Sequence, residues 1–536
     1  MSTVKQFYPL YYPILFAFAL VLGIASRHAG QYQRSDLALV LIVVGLATAS
    51  IVIGSLAMMH RWERSPRTVP LAAGFAMIAV AWFFFSAATQ KVVAIVSSRL
   101  SRDVVFVPLG ILVTAAAMIW LLRQPSHRLF AVSAFMTRFA VVLVAITALP
   151  VLFSETQASR IEKRSRLVRE LALPLRTGGP PPETNKPLRD IYLLVLDGHA
   201  NARVLREVFG FDNSAFEEKL RALGFFVPRD MRSNYVQTYL SLASLLNASH
   251  LLQLSEDAGV TSKDKAIPTY LVKNNRAARF LKNQDYKYIL FPSAWWAATA
   301  NSPLADRQFD ARRGFGFVSE VFRTELRLAV WRSSLLRFAV PRDSGSSSVA
   351  EHFLSTLRGL RDLPADPAPT FTFAHILLPH VPYVVDERCR PLRNPIDDSM
   401  EADTPEQRSA YINQVQCVDA LVLDAVTALL RQSATSPIIL IVGDHGPRFT
   451  DDIGFYAHPE KVSTAFVRER FGAFGAFHLP AGGDTVFREP VTLVNVLGHV
   501  LRYYFNAELA PSSNDMYVSG VELYRFHPVA AERYAP

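Results

Sequence analysis

Five apolar stretches crowd the first 153 residues of this chain, and no other feature of the sequence restricts its fold as much. They run over residues 7–26, 37–59, 69–88, 104–122 and 129–153. Each reaches roughly the ~20 residues that a helix needs to cross a ~30 Å hydrocarbon core. A cleaved signal peptide would leave one short apolar run followed by a soluble protein, whereas here four more runs follow the first. Five spans place the two ends of the chain on opposite sides of a membrane. Basic loops do little to say which end is inside. With the N-terminus inside, the inner segments carry Lys5, Arg61, Arg64, Arg67, Arg123 and Arg128, against Arg27, Arg34, Lys91, Arg99 and Arg102 outside.

The formal charge of +10 suggests a nucleic-acid partner until it is partitioned. Residues 1–153 hold 12 basic and 3 acidic side chains, which leaves 44 basic against 43 acidic for the rest. A near-neutral large domain has no electrostatic footprint for DNA or RNA. The two cysteines, Cys389 and Cys417, exclude a Cys-rich zinc module. Their spacing leaves two readings open. One is a bridge over a ~28-residue loop, which would place this domain outside the cytoplasm; the other is two independent buried thiols.

After the fifth stretch, "ETQASRIEKRSRLVRELALPL" is a basic, helix-permissive segment suited either to a membrane surface or to a solvated stalk. "RTGGPPPETNKP" then breaks any helix and reads as a linker. The expected domains are a transmembrane bundle over 1–153, a juxtamembrane helix and linker over 154–187, and an extracytoplasmic catalytic domain over 188–536. In that last part, "DIYLLVLDG", "YKYILFP", "TFTFAHILLP" and "PIILIVGDHG" have the buried-strand pattern. Helical periodicity separates them, in "NSAFEEKLRALG", near residues 406–431 and at 491–505. Alternating strands and helices predict an α/β domain with a mostly parallel sheet, whose ligands bind beyond the carboxyl ends of the strands.

Three of these strands end in metal-binding residue types. "LLVLDG" ends in Asp197, "ILIVGDHG" in Asp444 and His445, and "FAHILLPHVPY" carries His375 and His380. Any one acid after an apolar strand is ordinary turn chemistry. Two carboxylates and an imidazole at one sheet edge are instead three ligands with a position left open, which is a catalytic arrangement. Thr238, in "SNYVQTYLSLASLLN", opens a helical pattern, so its side chain either caps that helix or sits where an anion is favoured. Beside a metal, its hydroxyl becomes a competent nucleophile. Arg138 in the fifth stretch reads as a snorkelling side chain, and Trp295 and Trp296 as core aromatics or a groove lining. His478 in "GAFHLPAG" reads as a surface or core residue.

The blocks "YLLVLDG", "SNYVQTYLSLASLLN", "HILLPHVPY" and "IILIVGDHGPR", in that order after several apolar spans, resemble the sulfatase-like branch of the alkaline phosphatase superfamily. Within it the likeness is to membrane-anchored phosphoglycerol and phosphoethanolamine transferases, the group that includes lipoteichoic acid synthase. The resemblance implies one divalent metal (Mn, Zn or Mg) held by Asp197, Thr238, Asp444 and His445, with Thr238 also the nucleophile. It implies that His380 binds the phosphoryl group or protonates the leaving oxygen, that His375 assists or supports, and that Cys389 pairs with Cys417. The implied partners are a phospholipid donor, a glycan or lipid acceptor and the membrane, with the catalytic domain on the periplasmic or extracellular side of a bacterial plasma membrane. The position that the resemblance makes the nucleophile is Thr238, which cannot be converted to formylglycine as the cysteine or serine of sulfatases is, and this turns the expectation from sulfate esters to phosphoryl transfer. A hydrolase using water as acceptor and an inactive assembly protein are the alternatives. A transporter is not, because the spans contain almost no internal acids.

Overall fold

A six-residue apolar run such as Ile191–Leu196 needs cover on both of its faces, and the sheet around it supplies that cover. The computed structural model describes residues 8–27, 34–62, 64–96, 102–179, 188–293, 298–309, 325–334, 342–363, 366–396, 403–449 and 458–534. We label the strands of the central sheet β1 (Ile191–Leu196), β2 (Lys287–Phe291), β3 (Arg307–Gln308), β4 (Thr370–Ile376), β5 (Ile438–Gly443) and β6 (Gly475–His478). They form one six-stranded sheet in the order β3-β2-β4-β1-β5-β6. All neighbours are parallel except β6, which runs antiparallel to β5. The four expected strands are all present, in a mostly parallel sheet; the short outer strands β3 and β6 complete it.

Alternate residues of the strands feed two separate cores. Ile191, Leu193, Val195, Phe371, Phe373, Leu440 and Val442 pack on one face, against helices that include Thr238–Asn247 and Leu493–Phe505. Tyr192, Leu194, Leu196, Ile376, Ile439 and Ile441 pack on the other, against Arg342–Arg361 and Pro405–Gln432. Each buried Leu, Ile or Phe contributes roughly 1.5–3 kcal/mol of burial free energy, so the central strands are held hard in register. Helix Arg166–Ala172 buries Leu167, Val168 and Leu171 in the first of these cores, not against lipid.

The chain divides into two compact units, Met1–Gln157 with Val321–Pro341, and Ala158–Glu320 with Arg342–Pro536. In the first unit each expected apolar stretch lies on a helix: Tyr11–Arg27, Arg34–Trp62, Thr68–Val96, Arg102–Arg123 and Ser126–Arg164. Among the described residues, Ser35–Trp62 and Ser126–Phe153 are long and apolar enough to cross a membrane, while Tyr11–Ser26, Thr68–Phe84 and Leu112–Arg123 are apolar but shorter. Leu46, Ile53, Phe135, Ile146 and Leu149 are exposed on the two long helices, an apolar surface that lipid suits and water does not. Arg138 is exposed on the last of them. The helix Pro405–Gln432 also meets the length and apolarity measure. Its buried Gln414 and Asp419 and its packing on the sheet make it an interior helix of the second unit.

The first unit also contains a piece of chain from far along the sequence. Helix Glu325–Arg332 buries Leu326 and Val330 among Val21, Ile24, Ala25, Val40, Val80, Phe84 and Val151. Its Arg327 lies 2.8 Å from the carboxylate of Asp36. Trp295, Trp296 and residues 180–187 of the linker lie outside the described residues.

Cys389 and Cys417 are joined by a disulfide that spans 28 positions and ties the loop before residues 391–396 to helix Pro405–Gln432. Loop-closure entropy at that length is worth about 3.5 kcal/mol in the unfolded chain. Replacing both cysteines by alanine is therefore expected to lower the unfolding midpoint of the second unit, read by thermal or denaturant melting, by an amount that corresponds to about 3 kcal/mol.

Candidate active site

Register brings the acids together. β1 ends with Leu196 opposite Gly443 of β5 and opposite Ile376 of β4. The next residues, Asp197 and Asp444, therefore emerge side by side at the carboxyl edge of the sheet. Asp197 N donates to Ile376 O at 2.9 Å, and Gly198 N donates to Asp444 Oδ1 at 3.0 Å, so the two strand ends are stitched to their neighbours. The glycines around Asp444-His445 are forced by close approach. A Cβ on Gly443 would stand 2.3 Å from His199 O, and one on Gly446 would stand 1.9 Å from Glu469 O.

Thr238 is the first residue of the ten-residue helix Thr238–Asn247, and the capping position belongs to Gln237, which makes no side-chain cap bond. The Thr238 hydroxyl is thus not used to cap. It lies 3.0 Å from His445 Nε2, beside the Asp444 carboxylate. His445 donates from Nδ1 to Gly446 O at 3.1 Å, which fixes the tautomer and leaves the Nε2 lone pair facing the site. That nitrogen stands 3.2 Å from Asp444 Oδ2 and 3.7 Å from Asp197 Oδ1.

Asp197, Asp444 and His445 present ligand atoms within 4.8 Å of one another, and all three are buried. Asp197 Oδ1, Asp197 Oδ2 and Asp444 Oδ2 are buried without a hydrogen-bond partner. Orphaned carboxylate oxygens that converge in this way suit a divalent cation, because two buried like charges otherwise repel and stay poorly compensated. With the Thr238 hydroxyl beside them, the residues present fit such an ion.

The two histidines of "HILLPHVPY" divide. His375 is at the end of β4 and fully enclosed; its Nε2 lies 3.3 Å from Asp197 Oδ2, and its Nδ1 lies 3.1 Å from Thr299 Oγ1. It thus lies against the Asp197 carboxylate. His380, in the loop beyond β4, has its ring centroid 6.4 Å from that of His445. Asp197, Thr238, His375, Asp444 and His445 are all buried, whereas His380 is only partly so. His380 therefore stands between the enclosed acids and whatever enters. His478 lies on β6 opposite Ile439, near the start of β5, at the far edge of the sheet from these residues.

Sequence reasoning missed Arg470. This buried guanidinium donates to Val236 O from Nε at 3.0 Å and from Nη2 at 2.6 Å, donates to Gly446 O at 2.5 Å, and reaches His445 Nε2 at 3.1 Å. It clips the segment before Thr238 to the segment after His445. Also missed were His199, whose Nε2 lies 2.8 Å from Asp419 Oδ1, and Tyr411, whose hydroxyl accepts from Ala200 N at 3.2 Å and donates to Gly198 O at 3.0 Å.

Electrostatics follow from burial. Burial pushes the Asp444 carboxyl well above the usual range, and the neighbouring Asp197 charge adds to the rise. Burial also works against ionised Asp197, but the nearby His380 and His375 outweigh it and hold that carboxyl below its usual range. Burial, then the Arg470 charge, keeps His445 neutral. Within the metal-free pair, Asp444 is therefore the carboxyl that holds its proton to the higher pH.

The sulfatase family model matches residues 229–468, a stretch that contains Thr238, His375, His380, Asp444 and His445, with Asp197 ahead of it. Among solved structures, the chain is similar to the C-terminal periplasmic domain of EcEptC from Escherichia coli, at 13% identity over 65% of this chain and 94% of that one, with a TM-score of 0.40. It is similar to the integral membrane lipooligosaccharide phosphoethanolamine transferase A of Neisseria meningitidis, at 12% identity over 95% and 96% of the two chains, with a TM-score of 0.38. A further likeness is to the lipoteichoic acid synthase LtaP of Listeria monocytogenes, at 11% identity over 68% and 84%, again with a TM-score of 0.38. No curated protein matches the chain.

The retained proton sets a pH dependence. A carboxyl whose folded pKa is raised stabilises the fold fully below its unfolded value of about 3.9, and that contribution is lost as pH rises through the folded value. The chelated protein should therefore lose stability by about 1.4 kcal/mol per pH unit over that window, and Asp444→Asn should abolish the slope. Divalent cations displace this proton, so calorimetric titration with Mn²⁺ should show proton release and an affinity that rises with pH.

Proposed function

We propose that this chain, which carries a sulfatase-family domain, is a membrane-anchored phosphotransferase that moves a phospholipid headgroup, phosphoglycerol or phosphoethanolamine in type, through a covalent phospho-threonine to a glycan or lipid acceptor. The observation that carries the reading is a non-capping threonine hydroxyl placed beside a neutral imidazole and two buried carboxylates, three of whose oxygens have no hydrogen-bond partner. Threonine has no intrinsic reactivity that would make such a placement useful unless a cation shares the site. Asp197, Asp444, His445 and the Thr238 oxygen would hold that ion (Mn, Zn or Mg), which when bound supplies the positive charge that lets the Thr238 hydroxyl ionise near neutral pH.

The chain's own groups then divide the work. Thr238 Oγ1 bonds to the phosphorus of the donor as the bond from phosphorus to the diacylglycerol oxygen breaks. His380, protonated, gives its proton to that leaving oxygen. In the second half the neutral His380 takes the proton of an acceptor hydroxyl, whose oxygen bonds to phosphorus as Thr238 Oγ1 leaves. The partial exposure of His380 supports this role, since it is the least enclosed of the set. The N-terminus of helix Thr238–Asn247 favours the negative charge of the transferred group.

A domain that follows five alternating spans and carries a disulfide suits the side outside the cytoplasm, where a phospholipid rather than a nucleotide is the available donor.

Intact mass of the full-length protein in nanodiscs containing phosphatidylglycerol or phosphatidylethanolamine, with Mn²⁺, tests the chemistry. The wild type should gain one headgroup phosphate and Thr238→Ala none; equal turnover by both proteins sinks the mechanism. A reporter fused after Pro536 should be active only outside the cytoplasm, and activity only inside overturns the five-span arrangement.

A further inference from the structure

We propose that Gln414 is the residue that positions His380, an inference that rests on the phosphotransfer reading above. Gln414 lies on helix Pro405–Gln432 and is wholly buried. Its Oε1 accepts from Val384 N at 2.8 Å, and its Nε2 donates to Pro379 O at 3.2 Å and to His380 O at 3.1 Å. One side-chain amide thus satisfies three backbone groups of the loop that carries His380, including the carbonyl of His380 itself. Buried backbone groups need such partners, and a neutral amide is the side chain able to accept one bond and donate two.

The helix also sets where that loop sits. Tyr411, one turn earlier on the same face, holds Gly198 O and Ala200 N on the turn that follows Asp197. A Cβ on Gly198 would stand 3.7 Å from both Cα and Cβ of His380, so the loop lies directly over this turn. Cys417, at the next turn, is bridged to Cys389 at the far end of the same segment. Tyr411 therefore fixes the height of the Asp197 turn, and Gln414 fixes the height of His380 above it. A proton donor must stay within hydrogen-bond reach of the leaving oxygen, and misplacement by about 1 Å costs about 10²-fold in rate.

The test uses full-length protein in phosphatidylglycerol nanodiscs with Mn²⁺ and follows the release of diacylglycerol, whose oxygen needs a proton as it leaves. The variants are Gln414→Met, Gln414→Glu, His380→Ala, the Gln414→Met/His380→Ala double variant and Thr238→Ala. Gln414→Met is expected to lower kcat by about 10²-fold, with Mn²⁺ affinity unchanged. The double variant should be no slower than His380→Ala alone, because Gln414 acts through His380. Gln414→Glu keeps the acceptor for Val384 N and should fall between wild type and Gln414→Met; it also carries the comparison if the methionine variant does not fold. Hydrogen exchange of residues 378–385 should accelerate in Gln414→Met while that of β1 and β5 stays as in wild type.

Multiplying losses in the double variant, or wild-type exchange of residues 378–385, overturns the assignment of Gln414. Full turnover by Thr238→Ala overturns the phosphotransfer reading instead, and the exchange result then still judges whether Gln414 holds the loop.

Discussion

Two carboxylates, Asp197 and Asp444, lie side by side in a buried site with three of their oxygens unpartnered, and much of the surrounding structure answers to that fact. Burying one ion costs several kcal/mol even after relaxation, and burying two of like sign compounds the cost. The sheet imposes the arrangement: Leu196 and Gly443 are partners in register, so the residues that follow them have no choice of neighbour. A slip of one residue in β5 would turn the next side chain to the other face of the sheet and separate the pair. The deep apolar cores on both faces, from Leu193 and Leu440 on one side to Leu194 and Ile441 on the other, are what make such a slip expensive.

Compensation comes from several directions and from different parts of the chain. Gly198 N donates to Asp444, His375 approaches Asp197, and Arg470 brings a fixed positive charge to His445. None of these uses up the three orphaned oxygens, which is why a cation suits the site and a purely structural ion-pair network does not describe it. Thr238 is placed by the same logic. A helix start that leaves its first hydroxyl free of capping duty puts an oxygen where a cation and an anionic phosphoryl group would meet.

Much of this was legible in the sequence. Asp197, Asp444 and His445 stood out because apolar strands stop at them, and the parallel α/β pattern predicts which edge they share. Thr238 could be placed at a helix start, but only the structure separates capping from facing the acids. Arg470 was invisible because most of its bonds go to the carbonyls of Val236 and Gly446, which no side-chain pattern announces. The one signal was a Glu-Arg pair in "FVRERFGAF", between apolar residues that are buried. Asp419 left a similar trace as an acid on the buried stripe of its helix beside Val418 and Val422, where it meets His199. The strand β6 escaped because four residues ending in His478 have too little alternation to read.

Helix Glu325–Arg332 changes how the protein can be divided. Leu326 and Val330 are apolar, fully or nearly enclosed, and belong to the cluster formed by the N-terminal helices, although the chain on either side of Val321–Pro341 belongs to the second unit. Cutting at the Pro/Gly linker would leave this helix attached to the soluble fragment with its packing partners gone and Arg327 deprived of Asp36. A fragment cut there for crystallisation would therefore offer Leu326 and Val330 to solvent as an adhesive patch of its own making.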